Sequence, residues 1–282
     1  MSDRRKTAIV TGASQGIGAG IVKAFVERDY NVVANSRKVT QSTEVAASDR
    51  VGLVDGHIGE PATAARIVQT AMSRFGSIDT LVNNAGVFFT KPFTDYTAED
   101  IKSLISTNID GFLYVTQLSV KQMLAQKTGG NIVTITAALA RNPIRGVTAA
   151  VPMVTKGGLE TITQHLAMEY AKDGIRVNAV APGAVYTPLH RDTPKDVMES
   201  LSPMGRATDG TGGAIDNTLK VPAVAYAGVP FCTNFVGFHN LSRQAVICLL
   251  GDDEHDWPLL REFGDRPKEW LEEKGRGVAP VQ

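Results

Sequence analysis

Short runs of β-branched and small apolar residues alternate with longer stretches of helical period through most of this chain, and that alternation restricts the fold more than any other feature. Residues Thr7–Thr11, 31–34, 51–54, Thr80–Asn83, 131–136 and 176–181 read as strands. Between them, 16–28 carries Ile17, Ile21 and Phe25 at i, i+4, i+8 spacing. Pro61–Phe75 opens with Pro at a first-turn position, where a missing N–H costs nothing. The stretch 98–126 suits one helix, and 155–170 another, with Gly174 as its C-terminal punctuation. The strands are continuous apolar runs, as in a sheet buried on both faces. The expected fold class is therefore α/β, a doubly wound parallel sheet of the Rossmann type.

Composition narrows the function. With 282 residues and 43% hydrophobic side chains, the chain can fill the core of one large α/β domain. Its 29 basic and 29 acidic residues cancel, which removes the electrostatic footprint of a nucleic-acid or membrane-surface binder. Two Cys cannot build a disulfide scaffold, and no Cys/His spacing suits zinc, so no metal is expected. The apolar run after the basic N-terminus is too short for a signal peptide, and none reaches the roughly 18 residues of a membrane span. A cytoplasmic location is the expectation. The neutral sum hides an asymmetry, however. Residues 1–206 hold 22 basic and 18 acidic residues, whereas 207–282 hold 7 and 11, together with both Cys and both Trp. The chain is therefore the sum of two unlike parts, with a boundary near residue 206.

The strongest motif is Thr11-Gly12-Ala13-Ser14-Gln15-Gly16-Ile17-Gly18, between the first strand and the first helix. Its glycines permit a tight turn, a close approach of backbone to phosphate, and close helix–strand packing. The helix start then offers free N–H groups and the positive end of a dipole to a diphosphate.

TGASQGIG resembles the cofactor motif of the short-chain dehydrogenase/reductases, and further matches follow in that family's order. Asn83-Asn84-Ala85-Gly86 resembles the segment supporting the adenine side. Asn108 falls where the family keeps an active-site Asn. Lys156 opens a stretch similar to the family's helix and strand after the active site. Pro182-Gly183 followed by Thr187 is similar to the segment near the nicotinamide. The resemblance covers about residues 6–206 and implies a dinucleotide-binding domain over 1–206; its loss near residue 207 leaves 207–282 as either a divergent cap or the product of a reading-frame shift. The resemblance implies a nicotinamide cofactor held by Gly12, Ser14, Gln15, Gly16, Ile17, Gly18, Asn84, Ala85, Gly86, Pro182, Gly183 and Thr187, with Lys156 on the ribose. It also implies a small alcohol or carbonyl substrate, and a homodimer or homotetramer.

Arg37 follows the second strand in Asn35-Ser36-Arg37-Lys38, where no carboxylate waits for a ribose 2′-hydroxyl. A guanidinium there suits a 2′-phosphate, so NADP is favoured over NAD. His57-Ile58 stands where the family usually has Asp-Val against the adenine amino group; a neutral imidazole can still accept a hydrogen bond.

The family's chemistry, as the resemblance implies it, uses a Tyr four residues before the Lys as proton donor or acceptor and a Ser to orient substrate. Here the Tyr position is Pro152, which has no ionisable group. The Ser position is Leu139 by spacing or Ala137 by alignment of the strand, which leaves Thr136 as the nearby hydroxyl. Asn108, Lys156 and Thr136 are thus the candidate catalytic residues, with Tyr186 and Tyr170 as substitutes for the missing phenol. Two functions remain open: an oxidoreductase with an altered proton relay, or a dinucleotide-binding protein without turnover. In the tail, the acidic run at 252–256 reads as a solvated loop, and 259–274 as a short amphipathic helix.

Overall fold

Successive residues of the central strands enter two different cores, as the two-residue period of a strand requires. Ile9, Val33, Leu81, Ile132 and Val177 pack into one. Ala8, Val10, Val32, Ala34, Val82, Val133, Ile135 and Val180 pack into the other. The computed structural model describes residues 4–201 and, beyond them, the backbone of three short strands.

The strands are β1 (Thr7–Thr11), β2 (Asn31–Ser36), β3 (Val51–Asp55), β4 (Thr80–Asn83), β5 (Gly130–Ile135) and β6 (Ile175–Pro182). They run parallel in the order β3-β2-β1-β4-β5-β6, the doubly wound arrangement expected from the sequence. Connecting them are α1 (Gly16–Glu27), α2 (Pro61–Phe75), α3 (Ala98–Ile105), α4 (Gly111–Gln126) and α5 (Ala150–Glu169). After β6 come β7 (Val185–Tyr186), α6 (Lys195–Ser200), β8 (Thr208–Asp209), β9 (Val224–Ala225) and β10 (Phe235–Phe238). β10 lies parallel to β6 and continues the sheet, with β9 antiparallel at its far side. The acidic run at 252–256 and the helix expected at 259–274 lie outside the described residues.

Two helices differ from the expectation in ways that matter for the site. The single helix expected over 98–126 is interrupted by a π-helical turn, Ser106–Asp110. Two glycines fix this junction against the loop after β3. A Cβ on Gly59 would lie 2.4 Å from the Ser106 carbonyl oxygen, and one on Gly111 would lie 2.6 Å from Ile58 Cγ2. The approach is closer than any larger residue permits, and the widened turn carries Asn108 inward. Helix α5 begins at Ala150, five residues before the expected start, and includes Pro152 at its third position. First-turn N–H groups have no intrahelical partner, so Pro costs the helix no bond there.

Among the described residues no helix is long and apolar enough to cross a membrane, and no group of three His, Cys, Asp or Glu is placed to hold a metal ion.

Candidate active site

The glycine turn between β1 and α1 owes its shape to left-handed backbone at two positions, Gly12 (φ +63°) and Gly16 (φ +57°). A Cβ on Gly12 would lie 2.7 Å from Ala85 Cα, and one on Gly18 would lie 2.2 Å from the Gly12 carbonyl oxygen. Gly12 thus lets the turn touch the segment after β4, and Gly18 lets α1 touch the turn. Gln15 is the N-cap residue of α1, and its side chain makes no capping bond. The first N–H groups of the helix at Gly16, Ile17 and Gly18 are therefore free of a side-chain acceptor, as an anion site needs. Ser14 is tied to the next layer through its carbonyl, which accepts from Ser42 Oγ at 2.6 Å.

Thr11 and Asn84 lock this turn to β4. Thr11 Oγ1 accepts from the N–H groups of Asn84 at 3.1 Å and Ala85 at 3.0 Å. Asn84 Nδ2 donates to the carbonyls of Thr11 and Gly12, both at 3.0 Å. Asn84 and Ala85 thereby act on the turn from behind, through its backbone.

Gly86 opens the chemical end of the cleft. A Cβ at this position would lie 3.3 Å from Asn108 Oδ1 and 3.4 Å from Lys156 Nζ, so the two expected catalytic residues converge on its bare face. Asn108 is 1% exposed and fully engaged. Its Oδ1 accepts from Val87 N at 2.8 Å, and its Nδ2 donates to Val87 O at 3.1 Å and Thr155 Oγ1 at 3.0 Å. Thr155 Oγ1 in turn donates to the Pro152 carbonyl at 2.7 Å. This clasp joins the π-turn, the segment after β4 and the first turn of α5. Thr155 escaped the sequence reading; its one signal was a hydroxyl directly before Lys156. Removing a buried amide with three such bonds strands a backbone N–H and two acceptors. Asn108→Ala should accordingly lose about 2–3 kcal/mol of stability, seen as a lower denaturant midpoint.

Lys156 Nζ donates to the Ile135 carbonyl at 2.8 Å. Burial pushes its ammonium down to about 8. Pro152 is buried one turn earlier on the same helix and offers no proton.

The remaining expected residues stand as follows. Thr136 is 3% exposed, and its hydroxyl donates to Glu160 Oε1 at 3.3 Å, with the Val180 carbonyl at the same distance. Glu160 is buried and held by Arg141 Nε at 2.6 Å. The expectation that Thr136 relays a proton therefore meets a hydroxyl already committed to a carboxylate. The phenols fare no better as substitutes. Tyr170 ends α5, and its pKa is raised by the Glu169 carboxylate and by burial. Tyr186 Oη donates to the Lys195 carbonyl at 3.4 Å, and burial together with Glu199 raises its pKa. Both shifts run opposite to what a proton-transferring phenol needs.

His57 is also committed: Nδ1 accepts from Gly59 N at 3.2 Å, which leaves Nε2–H to face Thr107 Oγ1 at 3.2 Å. The expected acceptor nitrogen for adenine is thus in use. Ile58 is buried against Gly111. Arg37 is exposed just after β2. Asp55, paired with Ser36 across the strand pair, is bound by Thr40 through its N–H at 2.9 Å and its hydroxyl. Pro182 closes β6, Gly183 follows it, and Thr187 packs on the glycine turn, its Cβ 3.2 Å from a Cβ built on Gly16.

Comparison with known proteins agrees with this layout. A tropinone reductase homologue of Arabidopsis thaliana is 37% identical over 233 residues, covering 78% of this chain and 87% of the relative. Among solved structures, 3-ketoacyl-(acyl-carrier-protein) reductase from Brucella melitensis, complexed with NADH, superposes with a TM-score of 0.67 at 28% identity, covering 75% of this chain and 88% of that one. ElxO with NADP bound superposes with a TM-score of 0.65 at 26% identity, covering 74% and 88%. The profile described as short chain dehydrogenase matches residues 6–197. With its sheet order, its glycine turn and this match over most of its length, the chain belongs to the short-chain dehydrogenase/reductase family of oxidoreductases.

Proposed function

We propose that this protein is an NADP(H)-dependent oxidoreductase acting on an alcohol or carbonyl substrate, with a proton relay altered by Pro152. The observation carrying the proposal is the convergence of Asn108 Oδ1 and Lys156 Nζ on the bare face of Gly86, beside a glycine turn whose helix start lacks a side-chain cap. The residues present fit a dinucleotide: Gly12 and Gly18 let the turn and the start of α1 close on each other and on the segment after β4, and the N-cap side chain of Gln15 leaves the first N–H groups of the helix uncapped. When bound, the nicotinamide accepts or donates the hydride. The protein's part is positioning. Backbone N–H groups at Gly16–Gly18 would hold the diphosphate and the Lys156 ammonium the ribose hydroxyls, while Asn108 keeps the surrounding segments in register. Arg37 would offer its guanidinium to a 2′-phosphate, and the Asp55 carboxylate, across the strand pair from Ser36, is held by Thr40. NADH in the Brucella relative keeps NAD as the alternative cofactor.

A second reading, a nucleotide-binding protein without turnover, is favoured by Pro152 and by the engaged hydroxyl of Thr136. Apolar side chains left exposed on α4 and α5, namely Leu113, Val154 (69%) and Met168 (63%), support a homodimer or homotetramer. We read residues 207–282 as a divergent cap, supported by β10 alongside β6, with a frame-shifted tail as the alternative. Translating the coding DNA in its other two frames separates these. A cytoplasmic location accompanies this reading.

Fluorescence titration with NADPH and NADH tests the cofactor assignment. NADPH should bind about tenfold more tightly, because charge-assisted hydrogen bonds to one phosphate contribute about 1.5–3 kcal/mol. Affinity should also fall as pH rises from 7 to 9 around a midpoint of about 8, because the Lys156 ammonium that donates to ribose is present below its pKa and lost above it. Lys156→Met should bind more weakly and show no such dependence. Failure to bind either nucleotide would defeat the proposal.

A further inference from the structure

The proposed reaction needs a group that moves a proton, and position 152, Thr136, Tyr170 and Tyr186 do not supply one. An imidazole lies on the segment that follows Thr187, and it meets the segment that follows Gly86. His190 ends a short 3-10 turn, Pro188–His190, that follows Thr187 directly. The turn is fixed by His190 N donating to Thr187 O at 2.9 Å and by Thr193 N donating to His190 O at 3.0 Å. The His190 ring lies 6.3 Å from the Phe88 ring, centroid to centroid, at an interplanar angle of 58°. Phe88 follows Val87, whose N–H and carbonyl are both bonded to Asn108, and Gly86 before it faces Lys156 Nζ. Thr187, at the other end of the turn, packs on Gly16. The segment carrying His190 thus reaches from the diphosphate turn to the wall that borders Asn108 and Lys156.

We propose that His190 is the acid–base group of this site, taking the hydroxyl proton when an alcohol is oxidised and returning it when a carbonyl is reduced. The inference rests on the oxidoreductase reading above. In oxidation, the C–H bond of the carbinol breaks and its hydride, with two electrons, leaves for the nicotinamide. The O–H bond breaks, its proton goes to the unprotonated imidazole nitrogen, and C=O forms. The substrate is oxidised by two electrons, NADP+ is reduced to NADPH, and the imidazolium releases its proton to solvent.

The surroundings favour this role. Among the described residues no ion pair or hydrogen bond is formed by the His190 ring. Charged groups on the segments around it are occupied or point to solvent: Lys91 pairs with Asp100, Lys195 with Glu199, Lys156 bonds the Ile135 carbonyl, and Arg191 and Asp192 are exposed. Burial holds the imidazole below its ordinary pKa, so the neutral, proton-accepting form prevails at pH 7. With Phe88 as one wall, the fitting substrate class is a secondary alcohol or ketone with an aromatic or alkyl substituent beside the reacting carbon.

The test uses the full chain as wild type, His190→Ala and His190→Gln, with NADPH fluorescence to verify an intact cofactor site in each. Oxidation of a panel of aryl-alkyl carbinols with NADP+ is followed against pH, with and without added imidazole. Carbethoxylation of His190 by diethyl pyrocarbonate, mapped by mass spectrometry, gives a readout independent of turnover. In both variants NADPH binding should stay within about twofold while kcat falls by about 10²-fold or more, the range of a positioned acid–base group. The acidic limb of the kcat/KM profile should vanish, and added imidazole should restore part of the rate in His190→Ala. NADP+ with the ketone product should shield His190 from carbethoxylation. Unchanged kcat in His190→Ala, full activity in His190→Gln, or a loss that imidazole does not relieve would overturn the assignment and leave the oxidoreductase reading standing. Wild type that binds NADPH without turnover, its His190 equally reactive with and without ligands, would overturn the assignment and favour the second reading. Absence of NADPH binding would remove both.

Discussion

In the His190→Ala background, Pro152→Tyr is expected to raise turnover by about 10²-fold without a change in NADPH affinity. The position lies four residues before Lys156 on α5, and side chains at i and i+4 share a helix face. A phenol there would sit beside an ammonium already in place, whose charge lowers a phenol's pKa. The substitution costs the helix nothing, because the N–H it restores belongs to the first turn, where no intrahelical acceptor is required. The gain belongs at the lower end of the usual 10²–10⁴ range for a positioned acid–base group, since the Ser position stays unfilled and Thr136 is bound to Glu160. Steady-state kinetics on a carbonyl panel measures it. The same variant should make turnover insensitive to His190→Ala, since the phenol would take over the proton. An unchanged rate on adding Pro152→Tyr to His190→Ala would mean that Asn108 and Lys156 do not hold a phenol at position 152 for proton transfer.

Gly12→Ala is expected to weaken NADPH binding by more than about 10²-fold and to lower stability by about 2–4 kcal/mol. Two costs combine at this residue. Its φ of +63° is strained for any residue with a Cβ, and that Cβ would meet Ala85 Cα at 2.7 Å, backbone atoms that cannot rotate away. The turn must then separate from the segment after β4, breaking the bonds from Asn84 Nδ2 to Thr11 and Gly12 on which the diphosphate cradle depends. Gly76→Ala separates the two effects. Gly76 has a φ of +77° at the C-terminal end of α2, but no atom lies within 4 Å of a Cβ built there. Its replacement should cost only about 1 kcal/mol of strain and leave nucleotide affinity unchanged. Chemical denaturation and fluorescence titration of the two variants read both quantities. Equal losses in the two would mean that backbone strain alone, and not the contact with Ala85, gives Gly12 its role.

Part of the candidate site's geometry could be read from order and spacing, because it rests on local backbone conformation. The glycine turn is one example: strand, three glycines and helix are contiguous, and the residue type permits the left-handed backbone found at Gly12 and Gly16. The convergence of Asn108 and Lys156 could be expected only by resemblance. Their meeting point depends on Gly86, and on a π-turn that no periodicity announces. Thr136 illustrates the limit. A hydroxyl at the end of β5 could face the cleft or the helix behind it, and Glu160, 24 residues later on α5, decides between them. His57 fails in the same way, since its ring nitrogens are taken by Gly59 and by Thr107, 50 residues away.

By itself the sequence determined the doubly wound sheet, the glycine turn between β1 and α1, and the absence of an ionisable side chain at position 152. Strand periodicity, glycine backbone freedom and the chemistry of a single side chain are all properties carried by contiguous residues. The tertiary structure alone decided which polar groups remain free to act. It committed Thr136 to Glu160, bound both nitrogens of His57, opened the π-turn that brings Asn108 inward, and set His190 against Phe88. A hydrogen bond or ring contact has two ends, and in each of these cases the second end lies on an element distant in the chain.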